Sequence, residues 1–144
     1  MKTTIPFKVL SLDGEGFHLM IKVYINKKVA NLIIDTGASK TVLDKKRIEK
    51  YVTEKSFDVH DKLSSGLGTN TMESQITTLK KLKIGDIEIE QYQTVLLDLS
   101  HVNHSYEQIG LKQIEGVLGS DILLKYKAVI DYPKKELRLT YSKK

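Results

Sequence analysis

The residues best suited to chemistry in this chain are Asp35, Thr36 and Gly37, which directly follow the apolar run Leu32-Ile33-Ile34. A carboxylate at the exit of so apolar a segment cannot be buried alone; it needs hydrogen-bond donors or a partner. Thr36 supplies a hydroxyl, and Gly37 lets the backbone turn sharply and bring amide N–H groups close. The tripeptide alone admits two readings. One is an Asx-type turn closing a buried strand; the other is a carboxylate held ready for acid–base work. Other chemistries find less support. The chain has no cysteine, hence no disulfide, no thiolate nucleophile and no thiolate metal site. His101 and His104 stand three apart but lack an obvious third ligand, so no metal is expected. Asp13-Gly14-Glu15-Gly16 is too short for a calcium loop. Gly66-Leu67-Gly68 lacks the third glycine and following helix of a phosphate loop. No cofactor is expected.

The elements that must position Asp35 read mainly as strands. Isoleucine (14) and valine (10) far outnumber alanine (3), which favours pleated, half-buried structure over helix. Phe7 to Leu12 reads as a short strand. Leu19, Ile21, Val23 and Ile25 alternate with Met20, Lys22 and Tyr24, the period of a half-buried strand. Asn26-Lys27-Lys28 turns, and Val29 to Ile34 returns as a strand that is apolar on both faces at its end, which places it deep in the molecule. Asp44 can cap a short helix over Lys45 to Tyr51. Gly85-Asp86, between alternating Leu82/Ile84 and Ile87/Ile89, signals a type II′ hairpin. Gln93 to Leu99 is a further strand, and Ser100 to Gln113 is a polar connector with room for a helical turn. Ser120 can cap a helix from Asp121 to Lys125, with Asp121 suited to its first turn. Lys127 to Asp131, the turn Tyr132 to Lys135, and a strand through Leu137, Leu139 and Tyr141 complete the chain. Many short strands and two short helices imply a mainly β barrel or sandwich.

Two segments in this order resemble the hallmarks of one family. Ile33-Ile34-Asp35-Thr36-Gly37-Ala38 resembles the active-site signature of aspartic proteases. Ile114-Glu115-Gly116-Val117-Leu118-Gly119-Ser120-Asp121-Ile122-Leu123 resembles the apolar pair and glycine that cross beneath the catalytic loop of that family and open a short helix. The ending Val129-Ile130-Asp131-Tyr132 before a hairpin fits as well. The resemblance covers roughly residues 17 to 141 and is to retropepsin-like aspartic proteases of the cellular kind. It implies a single-lobe acid-protease closed β-barrel with one or two short helices, spanning residues 1 to 144 as one domain.

The resemblance also implies a mechanism. Peptide hydrolysis without a metal or nucleophilic side chain needs a water held between two carboxylates, one accepting its proton and the other donating to the carbonyl oxygen. Two such carboxylates share a proton, and the handling of this family's dyad is a standard example of coupled titration. Only one Asp-Thr-Gly is present; Asp44, Asp98, Asp121 and Asp131 lack its context. The second carboxylate is therefore expected from Asp35 of another copy across a two-fold axis. Thr36 would bond across the axis and Gly37 would donate to the carboxylates. Ala38 stands where two-lobed members carry Ser or Thr, which predicts a weakly rather than strongly acidic optimum. Ser64 to Ser74, with Gly66, Leu67 and Gly68 at its tip, is the expected flap over an extended peptide. Ile34, Ala38, Leu67, Met72 and Leu118 are the expected apolar lining. The alternative on the same fold is a catalytically silent module that binds peptides or mediates dimerisation.

Length and charge narrow the partners. At 144 residues the chain fits one domain and can bury most of its unfolded surface without staples. The formal net charge is +5, but of the 23 basic residues only Arg47 and Arg138 are arginine. Nucleic-acid recognition favours arginine and stacking aromatics, whereas the three Phe residues, at 7, 17 and 57, are far apart. No nucleic-acid partner is expected. Apolar runs no longer than three residues exclude a membrane-spanning helix, and the N-terminus lacks a secretory signal, so a cytoplasmic location is expected. The expected partners are a peptide or protein substrate and a second copy of the chain.

Overall fold

The computed structural model describes residues 1–52, 58–60 and 74–142. In chain order the strands are β1 (Lys2–Pro6), β2 (Lys8–Ser11), β3 (Phe17–Ile25), β4 (Lys28–Ile34), β5 (Val42–Asp44), β6 (Asp58–His60), β7 (Ser74–Ile84) and β8 (Ile87–Leu97). Helix α1 (Ser100–Gln108), β9 (Gly116–Leu118), α2 (Ser120–Lys125), β10 (Val129–Asp131) and β11 (Glu136–Thr140) follow. Strand β3 pairs with β4 and also with β7, so the order β3-β4-β9-β5-β8-β7 closes on itself as a six-stranded barrel. The expected closed β-barrel with two short helices is what the chain forms. A smaller sheet, β1-β11-β10, joins the two ends of the chain.

Turn chemistry sets the hairpins. Asn26 and Lys27 both have positive φ, and Ile25 faces Lys28 across this two-residue loop. At the β7–β8 turn only Gly85 has positive φ, with Ile84 opposite Ile87, as a type II′ loop requires. A Cβ on Gly85 would also stand 2.5 Å from the Thr3 hydroxyl. The barrel interior is filled by one face of each strand. Val23, Ile25, Leu32, Leu79, Ile84, Leu96 and Leu118 are fully buried there. Each such side chain contributes about 1.5–3 kcal/mol through removal from water. Outside the barrel, Met20 and Ile33, opposite each other on β3 and β4, form a second cluster with Leu10, Ile114 and Tyr106 of α1.

Several elements depart from the sequence reading. Lys2–Pro6 is a strand of its own, paired with β11 and burying Thr3 and Ile5; its alternation is too short to stand out. Val42–Asp44 and Gly116–Leu118 are strands of three residues, below the length at which a period shows. Segments read as separate strands between Ile87 and Leu99 form one strand, β8; Gln91 has positive φ within it, yet the register is the same on both sides, with Lys81 opposite Glu90 and Leu79 opposite Tyr92. The helix expected after Asp44 is a 3-10 turn, Arg47–Lys50, yet Asp44 does serve its start: Oδ2 accepts the Arg47 N–H at 2.9 Å. The polar connector contains a full helix, α1. Helix α2 is capped by Gly119 rather than Ser120, and no side chain makes the capping bond.

Candidate active site

Asp35 begins the loop that leaves β4 and reaches β5 at Val42. Strand β9 lies between these two strands, parallel to β4 with Ile34 beside Leu118, and antiparallel to β5 with Val42 beside Val117. The loop therefore arches over β9. Two glycines make that passage possible. A Cβ on Gly116 would stand 2.1 Å from the Val42 carbonyl oxygen, and one on Gly119 would stand 2.5 Å from the Lys40 carbonyl. No side chain fits at either position without moving backbone.

The loop is pinned from both sides. The Asp35 N–H donates to the Leu118 carbonyl at 2.9 Å, and the Ser120 N–H donates to the Ala38 carbonyl at 2.7 Å. Within the loop, the Ala38 N–H donates to the Asp35 carbonyl at 3.2 Å, and the Gly37 N–H donates to Asp35 Oδ1 at 3.0 Å. Gly37 does not have positive φ, and a Cβ there would make only ordinary contact, 3.4 Å from Asp35 Oδ1, so neither strain nor space requires glycine in the single chain. Asp35, Thr36 and Gly37 are all exposed, and Ala38 is half-buried beside them. Among the described residues the Thr36 hydroxyl has no hydrogen-bond partner. The fold thus brings Asp35, Thr36, Gly37 and Ala38 together on one outward-facing loop.

Leu118 and Ile34 sit beneath that loop. Leu118 was expected to line a cleft, but its side chain is fully buried in the barrel and only its carbonyl oxygen reaches Asp35. Ile34 is likewise buried, at the end of β4. Gly66, Leu67, Gly68 and Met72, with most of the expected flap, lie outside the described residues. His101 and His104 are exposed on α1.

Four other aspartates are engaged elsewhere. Asp44 is buried and accepts the N–H groups of Arg47 and Leu99. Asp98 accepts the Ser100 N–H, and the Ser100 hydroxyl, then that N–H, hold its carboxyl below the usual range. Asp131 accepts the Lys134 N–H and pairs with Arg138 at 2.9 Å, and these lower its carboxyl too. Asp121 lies in the first turn of α2, as expected, and also receives three hydrogen bonds: the Thr41 N–H at 2.9 Å and hydroxyl at 2.8 Å on Oδ1, and the Tyr92 hydroxyl at 2.7 Å on Oδ2. Thr41 Oγ in turn accepts the Gly119 N–H at 2.9 Å. Burial, then the bond to Asp121, holds the Tyr92 hydroxyl well above the ordinary tyrosine range, so it remains a donor at physiological pH.

Sequence reasoning missed Thr41 and Tyr92, because nothing at either position marks a partner so far along the chain. It also missed the buried Glu115. Its Oε2 accepts the Asn31 N–H at 3.0 Å, while Oε1 accepts from Tyr51 Oη at 3.0 Å and Arg47 Nη2 at 3.2 Å. This cluster ties the 3-10 turn to the edge of β4 and β9. Its only sequence signal is an acid inside an apolar run.

Comparison with known proteins agrees with this geometry. The family described as "Aspartyl protease" matches residues 21–122. Among solved structures, a retropepsin-like aspartic protease from Rickettsia conorii is similar with a TM-score of 0.56 and 21% identity, over 98% of this chain and 94% of that one. The retroviral protease-like domain of Ddi1 from Leishmania major gives a TM-score of 0.56 at 14% identity, over 88% and 94%. The EIAV protease complexed with the inhibitor HBY-793 gives 0.53 at 19% identity, over 81% and 93%. At these identities the likeness shows the retropepsin-like fold. Comparison with curated protein sequences gives no match.

Proposed function

Since the chain belongs to the aspartyl protease family, we propose that it is an aspartic endopeptidase whose active site is completed by a second copy. The observation that carries this reading is the isolation of Asp35. It is held by the Gly37 N–H on an exposed loop, while Asp44, Asp98, Asp121 and Asp131 are each bound elsewhere. A second Asp35 brought by a two-fold axis would supply the missing carboxylate. One carboxylate then takes a proton from a water between them as the water attacks the scissile carbonyl carbon. The other, protonated, donates to the carbonyl oxygen, and the tetrahedral species collapses with proton transfer to the leaving nitrogen. Thr36, without a hydrogen-bond partner among the described residues, would bond across the axis. Ala38 is the nearest lining residue for substrate, with Gly66, Leu67 and Gly68 proposed to fold over it as a flap. Leu118 acts through its carbonyl, fixing the start of the loop.

The test is a peptide-library cleavage assay of wild type beside Asp35→Asn, with the mass in solution measured on the same samples. Cleavage by wild-type dimer and none by a folded variant is the expected result. Cleavage by the variant refutes the mechanism. Binding without cleavage by wild type favours a silent peptide-binding module.

A further inference from the structure

Away from the Asp35 loop, the outer face of the barrel carries a groove of about 530 Å³ ringed by Lys8, Lys22, Lys83 and Lys112, with Tyr24 and Asn31 also on its wall. No acidic residue lines it. Among the described residues, none of the four ammonium groups makes a hydrogen bond or an ion pair. Four like charges gathered without a counter-charge repel one another and disfavour the folded state, so the arrangement favours an anionic occupant.

The groove coincides with a gap in the sheet. Strand β2 pairs with β3 from Phe17 to Met20, and β7 joins the same edge at Tyr24 and Ile25. Between them, Ile21, Lys22 and Val23 have partners only in β4 among the described residues. The Asn26 N–H donates to Lys81 of β7. Because strand amides alternate sides with period two, the Lys22 N–H and C=O face that same gap. Met20 to Tyr24 spans about 13 Å of strand, and residues on one face recur about every 6.8 Å. Along this line Lys8 stands beside Met20, Lys22 follows, and Lys83 stands beside Tyr24.

We infer that this groove is a docking site for an acidic, extended peptide segment with carboxylates at alternate residues. Its backbone would meet the open edge at Lys22 and its carboxylates would meet the lysines. A peptide suits the groove better than nucleic acid, since the groove has no arginine and a single exposed ring, Tyr24. The inference does not depend on catalysis. Asn31, which lines the groove, lies four residues before Asp35, about 13 Å back along β4.

The test is fluorescence anisotropy at low salt with the full chain and labelled Thr-Glu-Leu-Glu-Thr-Glu, repeated with Asp35→Asn so that cleavage cannot interfere. A glutamine version of the peptide and oligodeoxythymidine are the competing probes. The expected result is binding of the glutamate peptide that weakens about tenfold or more in Lys22→Glu/Lys112→Glu. Lys80→Glu/Lys134→Glu, an equal charge change outside the groove, should weaken it far less. The control pair should melt like wild type and the groove pair no earlier, since it relieves the repulsion among the lysines; if the groove pair melts early, Lys22→Gln/Lys112→Gln replaces it, with several-fold weakening expected. No binding, equal loss in both double variants, equal binding of the glutamine peptide, or tighter binding of oligodeoxythymidine overturns the inference.

Discussion

Thr41 and Asp121, 80 residues apart in sequence, are joined by two hydrogen bonds to a single carboxylate oxygen, Asp121 Oδ1. This contact ties the end of the Asp35 loop to the start of α2, and Tyr92 holds the other carboxylate oxygen from β8. The proposed catalytic loop is therefore fixed from two elements that are distant in the chain, α2 and β8.

Tyr92→Phe removes one donor to that carboxylate while keeping the ring. A hydrogen bond to a charged group contributes about 1.5–3 kcal/mol, and thermal melting should show a loss in this range. Cleavage should fall with it, since Asp121 is then free to shift away from Thr41. An unchanged melting temperature with unchanged cleavage would mean that the network does not position the loop.

Gly119→Ala should be among the most damaging small substitutions. The new Cβ meets the Lys40 carbonyl at 2.5 Å, and backbone must move. Overpacking costs of this kind run to about 1–3 kcal/mol or more. Gly14→Ala is the contrasting control for space: nothing lies within 4 Å of its Cβ, although its positive φ leaves backbone strain. Melting curves and cleavage rates of the two variants should separate, with Gly119→Ala losing both.

Glu115 lies in a buried cluster with Arg47, Tyr51 and the Asn31 N–H. Glu115→Leu leaves Arg47 Nη2 and the Asn31 N–H without their acceptor, while the Tyr51 hydroxyl keeps the Val29 carbonyl at 2.8 Å. Breaking a buried pair costs about 3–5 kcal/mol, and the lower end applies because Arg47 keeps a quarter of its side chain exposed (24%). Denaturant titration measures it. A loss under about 1 kcal/mol would show that water replaces Glu115 readily.

Asp131 carries a pH signature. The Lys134 N–H, then Arg138, hold its carboxyl below the ordinary value. A depressed carboxyl stabilises the fold fully above its unfolded value, and that contribution disappears as pH falls through the folded value. Asp131→Asn should therefore melt earlier than wild type at neutral pH, and the two curves should converge in strong acid. A gap that persists or widens in acid would contradict the assignment.

How much of this was legible in the sequence depends on the range of the interaction. The alternation from Leu19 to Ile25 and the apolar exit at Ile34 announced β3 and β4, and Asp35-Thr36-Gly37 with Gly116 to Asp121 announced the loop and what crosses beneath it. Local turn chemistry at Gly85 was readable for the same reason. The three-residue strands β5 and β9 were not, because their pairing is fixed by neighbours far along the chain. Asp121 was legible as a helix-start residue, which it is, but its partners Thr41 and Tyr92 were not, because they come from distant elements. Leu118 looked like a cleft residue until β9 placed its side chain in the barrel.

The shared dyad is tested most directly by mixing. Wild-type protein is held constant while Asp35→Asn protein is added and subunits are allowed to exchange. If two Asp35 carboxylates form one site, mixed dimers are inactive. Random pairing then lowers cleavage to about one half at equal amounts and about one quarter at threefold excess of variant. Cleavage that stays constant across the titration would contradict the account.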